Sequence, residues 1–84
     1  MIDPPFWWAN MPVTELQIQL YGENLGSYRA TVNYAGVEIK RQIAVDSPNY
    51  LFIYLDISEK AEAGKLEIIL KNGHGSITVP YELL

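Results

Sequence analysis

The sequence predicts an antiparallel β-sandwich, and three observations carry that prediction. Apolar and polar residues alternate with period two through most of the chain. Gly, Pro, Asn and Asp interrupt the alternation roughly every eight to twelve residues, the spacing of short strands joined by turns. No segment carries the pattern of a long helix.

The first clear strand is 15–21, with Leu16, Ile18 and Leu20 on one face and Glu15, Gln17 and Gln19 on the other. Residues 22–26 turn the chain into a second strand at 29–34, and Ala35-Gly36 makes a tight connection into 37–45. There Val37, Ile39, Ile43 and Val45 keep the odd-numbered phase, while Arg41 interrupts it and marks a bulge or an edge. Asp46-Ser47-Pro48-Asn49 turns again before a strand at 50–56. A single helical turn is expected over 58–64 with Ser58 as its cap. Leu66, Ile68 and Leu70 restore clean alternation, and Asn72-Gly73 signals a hairpin into 77–81. Pro80 places that last strand at a sheet edge, because proline cannot donate to a ladder. About seven short strands of this kind fit an immunoglobulin-like sandwich better than an α/β fold. With no internal repeat, linker or low-complexity segment, residues 1–84 read as one domain.

Composition narrows the function. At 84 residues the chain holds one small domain that buries roughly two-thirds of its unfolded surface, leaving little room for a deep catalytic cleft. With 49% hydrophobic and 19% charged residues it is globular, and no stretch approaches the run of about 20 apolar residues that a membrane span requires. Ten acidic residues are scattered among six basic ones for a net charge of −4, so phosphate-backbone binding has no electrostatic basis and no nucleic-acid partner is expected. The absence of cysteine excludes a disulfide framework and thiolate metal sites in either redox compartment. Met1 runs almost directly into Asp3-Pro4-Pro5, without the basic and apolar regions of a signal peptide.

The aromatic residues break the rule that one strand face meets water. In 50–56, Leu51, Ile53 and Leu55 form one face and Tyr50, Phe52 and Tyr54 the other, so both faces are apolar. The outer stripe calls for a cover: cross-strand neighbours, another domain or a flat ligand. In Phe6-Trp7-Trp8 an extended backbone sends adjacent side chains to opposite faces. One Trp then enters the core and the other is free for a partner, unless both plug the open end of the sandwich. Trp7, Trp8, Tyr50, Phe52 and Tyr54 are therefore the candidate contact residues for a flat ligand or a neighbouring domain.

Catalytic chemistry finds no foothold. Glycoside hydrolysis needs two carboxylates about 5–10 Å apart across a sugar, and Glu15, Glu38, Glu67 and Glu82 occupy outward or turn positions where acids are ordinarily solvated. His74, the only histidine, lies at a hairpin tip with no second imidazole or thiol to complete a metal site. Gly73 and Gly75 do not make a dinucleotide fingerprint, and no serine has a supporting His and Asp. No catalytic residue, metal ligand or cofactor is assigned.

Five segments carry a resemblance: Pro4-Pro5-Phe6-Trp7-Trp8, Tyr21-Gly22-Glu23-Asn24-Leu25-Gly26, Asn33-Tyr34-Ala35-Gly36-Val37, Pro48-Asn49 through Ile57-Ser58, and Pro80-Tyr81-Glu82-Leu83. Together they span nearly the whole chain, which resembles the N-terminal domain of bacterial cyclomaltodextrinases and neopullulanases, glycoside hydrolases of the alpha-amylase superfamily. Where the family pattern has a glycine after the double Trp, this sequence has Asn10. Asn is the commonest non-glycine residue at positive φ, so the turn can survive. The resemblance implies an early-set immunoglobulin-like accessory domain, non-catalytic, cut from a larger enzyme whose (β/α)8 barrel hydrolyses α-glucans such as cyclodextrins, pullulan or starch fragments. Its implied partners are that barrel and a second subunit, where it helps wall the substrate cleft. The implied location is periplasmic or extracellular, with the signal peptide removed. Two readings compete: a module packing on protein through its aromatics, and a carbohydrate-binding module offering Trp and Tyr faces to α-glucan. An independent enzyme is the third class and has the least support.

Overall fold

The computed structural model describes residues 1–11 and 14–84. Alternation becomes strand wherever it is expected. The strands are β1 (Ile2–Asp3), β2 (Phe6–Trp7), β3 (Glu15–Tyr21), β4 (Arg29–Val32), β5 (Val37–Ala44), β6 (Tyr50–Ile57), β7 (Gly64–Asn72) and β8 (Gly75–Leu83), with one short 3₁₀ turn at Leu25–Ser27. They form two four-stranded sheets, ordered β1-β3-β6-β5 and β2-β8-β7-β4. All pairings are antiparallel except β2 with β8, which is parallel. The first sheet therefore begins the chain at its edge, and the second sheet takes it over after Pro4 and Pro5. The result is an all-β sandwich.

The core is what the alternation pointed inward. Leu16, Ile18 and Leu20 of β3 and Leu51, Ile53, Leu55 and Ile57 of β6 meet Leu66, Ile68 and Leu70 of β7 and Tyr81 and Leu83 of β8. Each is 5% exposed or less. Tyr81 alone brings a polar atom into this layer. Its hydroxyl finds no hydrogen-bond partner among the described residues. Burial, and behind it the Asp3 carboxylate, push that hydroxyl up to about 12. A phenol harder to ionise folded than unfolded stabilises the fold below pH 10, and the contribution is lost as pH rises through about 12. The loss amounts to about 2–3 kcal/mol. Tyr81→Phe is accordingly expected to hold or gain about 1 kcal/mol at neutral pH, because it removes an unpartnered polar atom. The variant's advantage should widen between about pH 10 and 12, read from urea midpoints across that range. An advantage independent of pH contradicts this account.

The turns at Asn10, Asn24 and Gly36 depend on backbone that only certain residues adopt. Gly36 takes φ 84°, and a methyl there would lie 2.9 Å from the Ala61 Cβ, so the connection from Tyr34 to Val37 admits glycine alone. Asn10, standing in the glycine position of the resemblance, takes φ 62°.

Three expectations need correction. The β5 bulge between Ile39 and Arg41 inserts a residue and reverses the phase, so Ile43 and Val45 face outward at 37% and 40% exposure instead of joining the core. Gln42 is turned inward in their place, accepting from the Ala30 N–H at 2.8 Å and donating to the Tyr28 carbonyl at 2.7 Å. That amide stitches the open edges of the two sheets together where no ladder joins them. Residues 58–61 close a single hydrogen-bonded turn, with Ala61 N donating to the Ser58 carbonyl and Lys60 N to the Ser58 hydroxyl, and β7 starts at Gly64 before a helix can propagate. The last strand is not outermost, since β2 pairs beyond it at Glu82 and Leu83. Pro80 sits where that short partner has not yet begun. The hairpin forms at the expected Asn72-Gly73-His74-Gly75 turn, with Asn72 paired to Gly75 and its Oδ1 accepting from His74 N.

Candidate functional site

The outer face of the first sheet collects the unusual side chains of this domain. Cross-strand register arranges them in four rows. Tyr21 of β3 lies opposite Tyr50 of β6. Next come Asp3, Gln19, Phe52 and Ile43, then Gln17, Tyr54 and Arg41, and last Glu15, Asp56 and Glu38. Successive rows are about 6–7 Å apart, so the face grades from aromatic to acidic over roughly 20 Å.

The aromatic rows are packed together but not covered. The Tyr21 and Tyr50 ring centroids are 4.8 Å apart, and Tyr50 and Phe52 are 6.5 Å apart. The Arg41 guanidinium lies 4.2 Å over the Tyr54 ring. Tyr50, Phe52 and Tyr54 are half-buried by these neighbours, while Tyr21 remains 43% exposed and Ile43 and Val45 flank them. The apolar end continues past Tyr21 into a recess of about 440 Å³ at the mouth of the sandwich, lined also by Met1, Ile2, Leu20, Ile77 and Val79. The second sheet's outer face is different in kind. Arg29, Thr31, Glu67, Lys71, Thr78 and Glu82 line it, and its paired aromatic, Phe6, sits beside Glu82 at the β2 edge.

The tryptophans lie elsewhere. Trp7 packs against the core and Trp8 stands 44% exposed, 5.3 Å from the Phe6 ring. Both belong to the edge of the second sheet, beside the end of β8, where Leu84 N donates to the Trp7 carbonyl. The candidate residues thus fall into two groups, Tyr50, Phe52 and Tyr54 on one sheet and Trp7 and Trp8 on the other. Sequence reading missed Tyr21, Ile43 and Val45. Tyr21 was read only as the last residue of its strand, and the bulge at Arg41 was the one signal for the other two.

The polar groups near these aromatics divide into engaged and free. Asn49 is committed, its Oδ1 accepting from Asn24 N at 3.0 Å. Gln17 and Gln19 are carried on the same rows as Tyr54 and Phe52. Among the described residues no group of three or more His, Cys, Asp or Glu side chains is placed to hold a metal ion, the acidic row included. The described residues contain no helix long and apolar enough to cross a membrane.

The likeness seen in the sequence is matched by a family model. The model for the cyclomaltodextrinase N-terminal domain aligns with residues 1–84, the full length of the chain. Both sheets, the Asn10 turn and the aromatic face all fall inside that match. This chain belongs to the cyclomaltodextrinase N-terminal domain family.

Proposed function

We propose that this is a non-catalytic accessory domain of an α-glucan hydrolase of the cyclomaltodextrinase or neopullulanase type. Its part is to pack on the catalytic barrel or a second subunit and help shape the substrate cleft. The observation that carries this reading is the aromatic outer face of the first sheet. Tyr21, Tyr50, Phe52 and Ile43 form a continuous apolar surface on a sheet whose other face already fills the core. A small domain gains nothing for its own stability by presenting such a surface to water, whereas a protein neighbour there replaces water over it. Family membership supports this reading, since the matched family is the N-terminal domain of cyclomaltodextrinase.

The second reading, direct α-glucan binding, is favoured by one arrangement. The Tyr21 and Tyr50 rings and the Phe52 ring neighbour Gln19, whose amide is of the kind that hydrogen-bonds sugar hydroxyls. Titration of the 84-residue chain with maltoheptaose and β-cyclodextrin separates the two. Packing on protein predicts no saturable amide shifts at millimolar glucan. Saturable shifts centred on Tyr21 and on Tyr50, Phe52 and Tyr54 would make the domain a glucan-binding module in its own right.

A further inference from the structure

We infer that the outer face of the first sheet docks a surface of a different protein body that is apolar at one end and basic at the other, with its Lys or Arg residues set against Glu15, Asp56 and Glu38. The inference rests on the accessory-domain reading and adds the chemistry and orientation of the partner.

The acidic row carries a cost. Glu15 and Asp56 are direct cross-strand partners, and so are Asp56 and Glu38, which puts three carboxylates side by side on adjacent strands. Like charges directly opposite one another destabilise a sheet. Among the described residues of these three strands the cations are Arg41, a row away and lying over Tyr54, and Lys40, exposed in the bulge next to it, and neither is paired in register with a carboxylate. Alternation alone does not demand this, because any of the three positions accepts Thr, Gln or Lys without disturbing the core. A local rule broken on the same face as an unpartnered aromatic surface points to one contact that satisfies both.

The charge row also says what does not bind. Two copies meeting through this face about a two-fold axis would bring each row onto itself or onto its opposite end. The first arrangement sets carboxylates against carboxylates. The second buries them against Tyr21 and Tyr50. Either desolvates negative charge without a counter-charge, so full overlap of this face with its own copy is disfavoured. A neutral glucan gives the carboxylate row no counter-charge. A basic partner resolves the repulsion, fixes which way round the domain docks and steers association, leaving the aromatic rows to bury area.

The test uses hydrogen exchange of the amides of Glu15–Tyr21 and Tyr50–Ile57. It compares the 84-residue chain with the full polypeptide encoded by the gene, in wild type and in the variant Glu15→Gln/Glu38→Gln/Asp56→Asn. In the 84-residue chain the variant should exchange roughly threefold more slowly, since it relieves repulsion. In the full polypeptide it should exchange about 5- to 30-fold faster than wild type, since it loses the docking contact. The wild-type protection gained in the full polypeptide should shrink between about 0.05 and 0.5 M salt. If the variant slows exchange equally in both proteins, the row is a local repulsion and the inference is wrong. If wild-type exchange is the same in both, the accessory-domain reading itself fails. Protection produced in the 84-residue chain by maltoheptaose alone assigns the face to sugar and overturns the inference.

Discussion

Replacing Ile53 with alanine is expected to remove about 3–4 kcal/mol from the stability of this domain, the largest effect of any single truncation. Ile53 is fully buried at the centre of β6, the strand that pairs with both β3 and β5 and so holds the first sheet together. Its side chain lies in the layer where that sheet meets Ile68 and Leu70 of the second. Neighbours on two sheets cannot collapse into the space without breaking register, so both the transfer loss and most of the cavity cost are felt. A domain of this size has about 5–10 kcal/mol in total, and the variant should sit near the edge of folding. Urea unfolding should show a lower midpoint with an unchanged slope, whereas Ile69→Ala on the outer side of β7 should cost about 1 kcal/mol or less. Equal costs at the two positions would mean that the inward and outward faces have been assigned wrongly.

Replacing Tyr21 and Ile43 together with serine is expected to cut association with the rest of the parent enzyme by about 30-fold or more while leaving the domain folded. Both residues are more than one-third exposed and lie outside the core, so the fold loses cross-strand packing worth about 1 kcal/mol. A partner seated on the face loses an aromatic anchor and the aliphatic residue that flanks Phe52. Calorimetric titration of this domain against the remainder of the enzyme measures the loss directly. Phe6→Ser, on the edge of the other sheet, is the control and should change the affinity less than threefold by the same account. A reversed ranking would move the interface to the Phe6 and Trp8 corner.

Much of this molecule can be read from residue order, because a strand buried on one face must alternate. Leu16, Ile18 and Leu20, the inward side of Tyr50–Ile57, and Leu66, Ile68 and Leu70 all declare themselves in that way. The Gly36 connection was equally plain, since Ala-Gly between two apolar runs leaves little but a tight turn. What order does not carry is register between distant strands. The β5 bulge turns on one extra residue, and it decides that Ile43 is surface and Gln42 interior. The two-residue strands at Ile2–Asp3 and Phe6–Trp7 are too short to alternate at all, and their place depends on pairing with residues far along the chain.

The candidate site was legible to the same extent. Tyr50, Phe52 and Tyr54 stood out because they alternate with a buried set, which is a local pattern. Glu15, Glu38 and Asp56 did not, because each alone is an ordinary solvated acid. Only the pairing of three strands puts them in one row. Trp7 and Trp8 were recognised as a pair with opposite facing, but their separation from the Tyr-Phe-Tyr stripe is a property of the sheet order.

The most direct test of the central claim is hydroxyl-radical footprinting of the aromatic side chains, comparing the 84-residue chain with the full-length enzyme in the absence of glucan. A face covered by protein predicts that Tyr21, Tyr50 and Phe52 are modified in the isolated domain and protected in the enzyme, with the exposed residues of the second sheet's outer face unchanged. Equal modification of those three rings in both proteins would contradict the account.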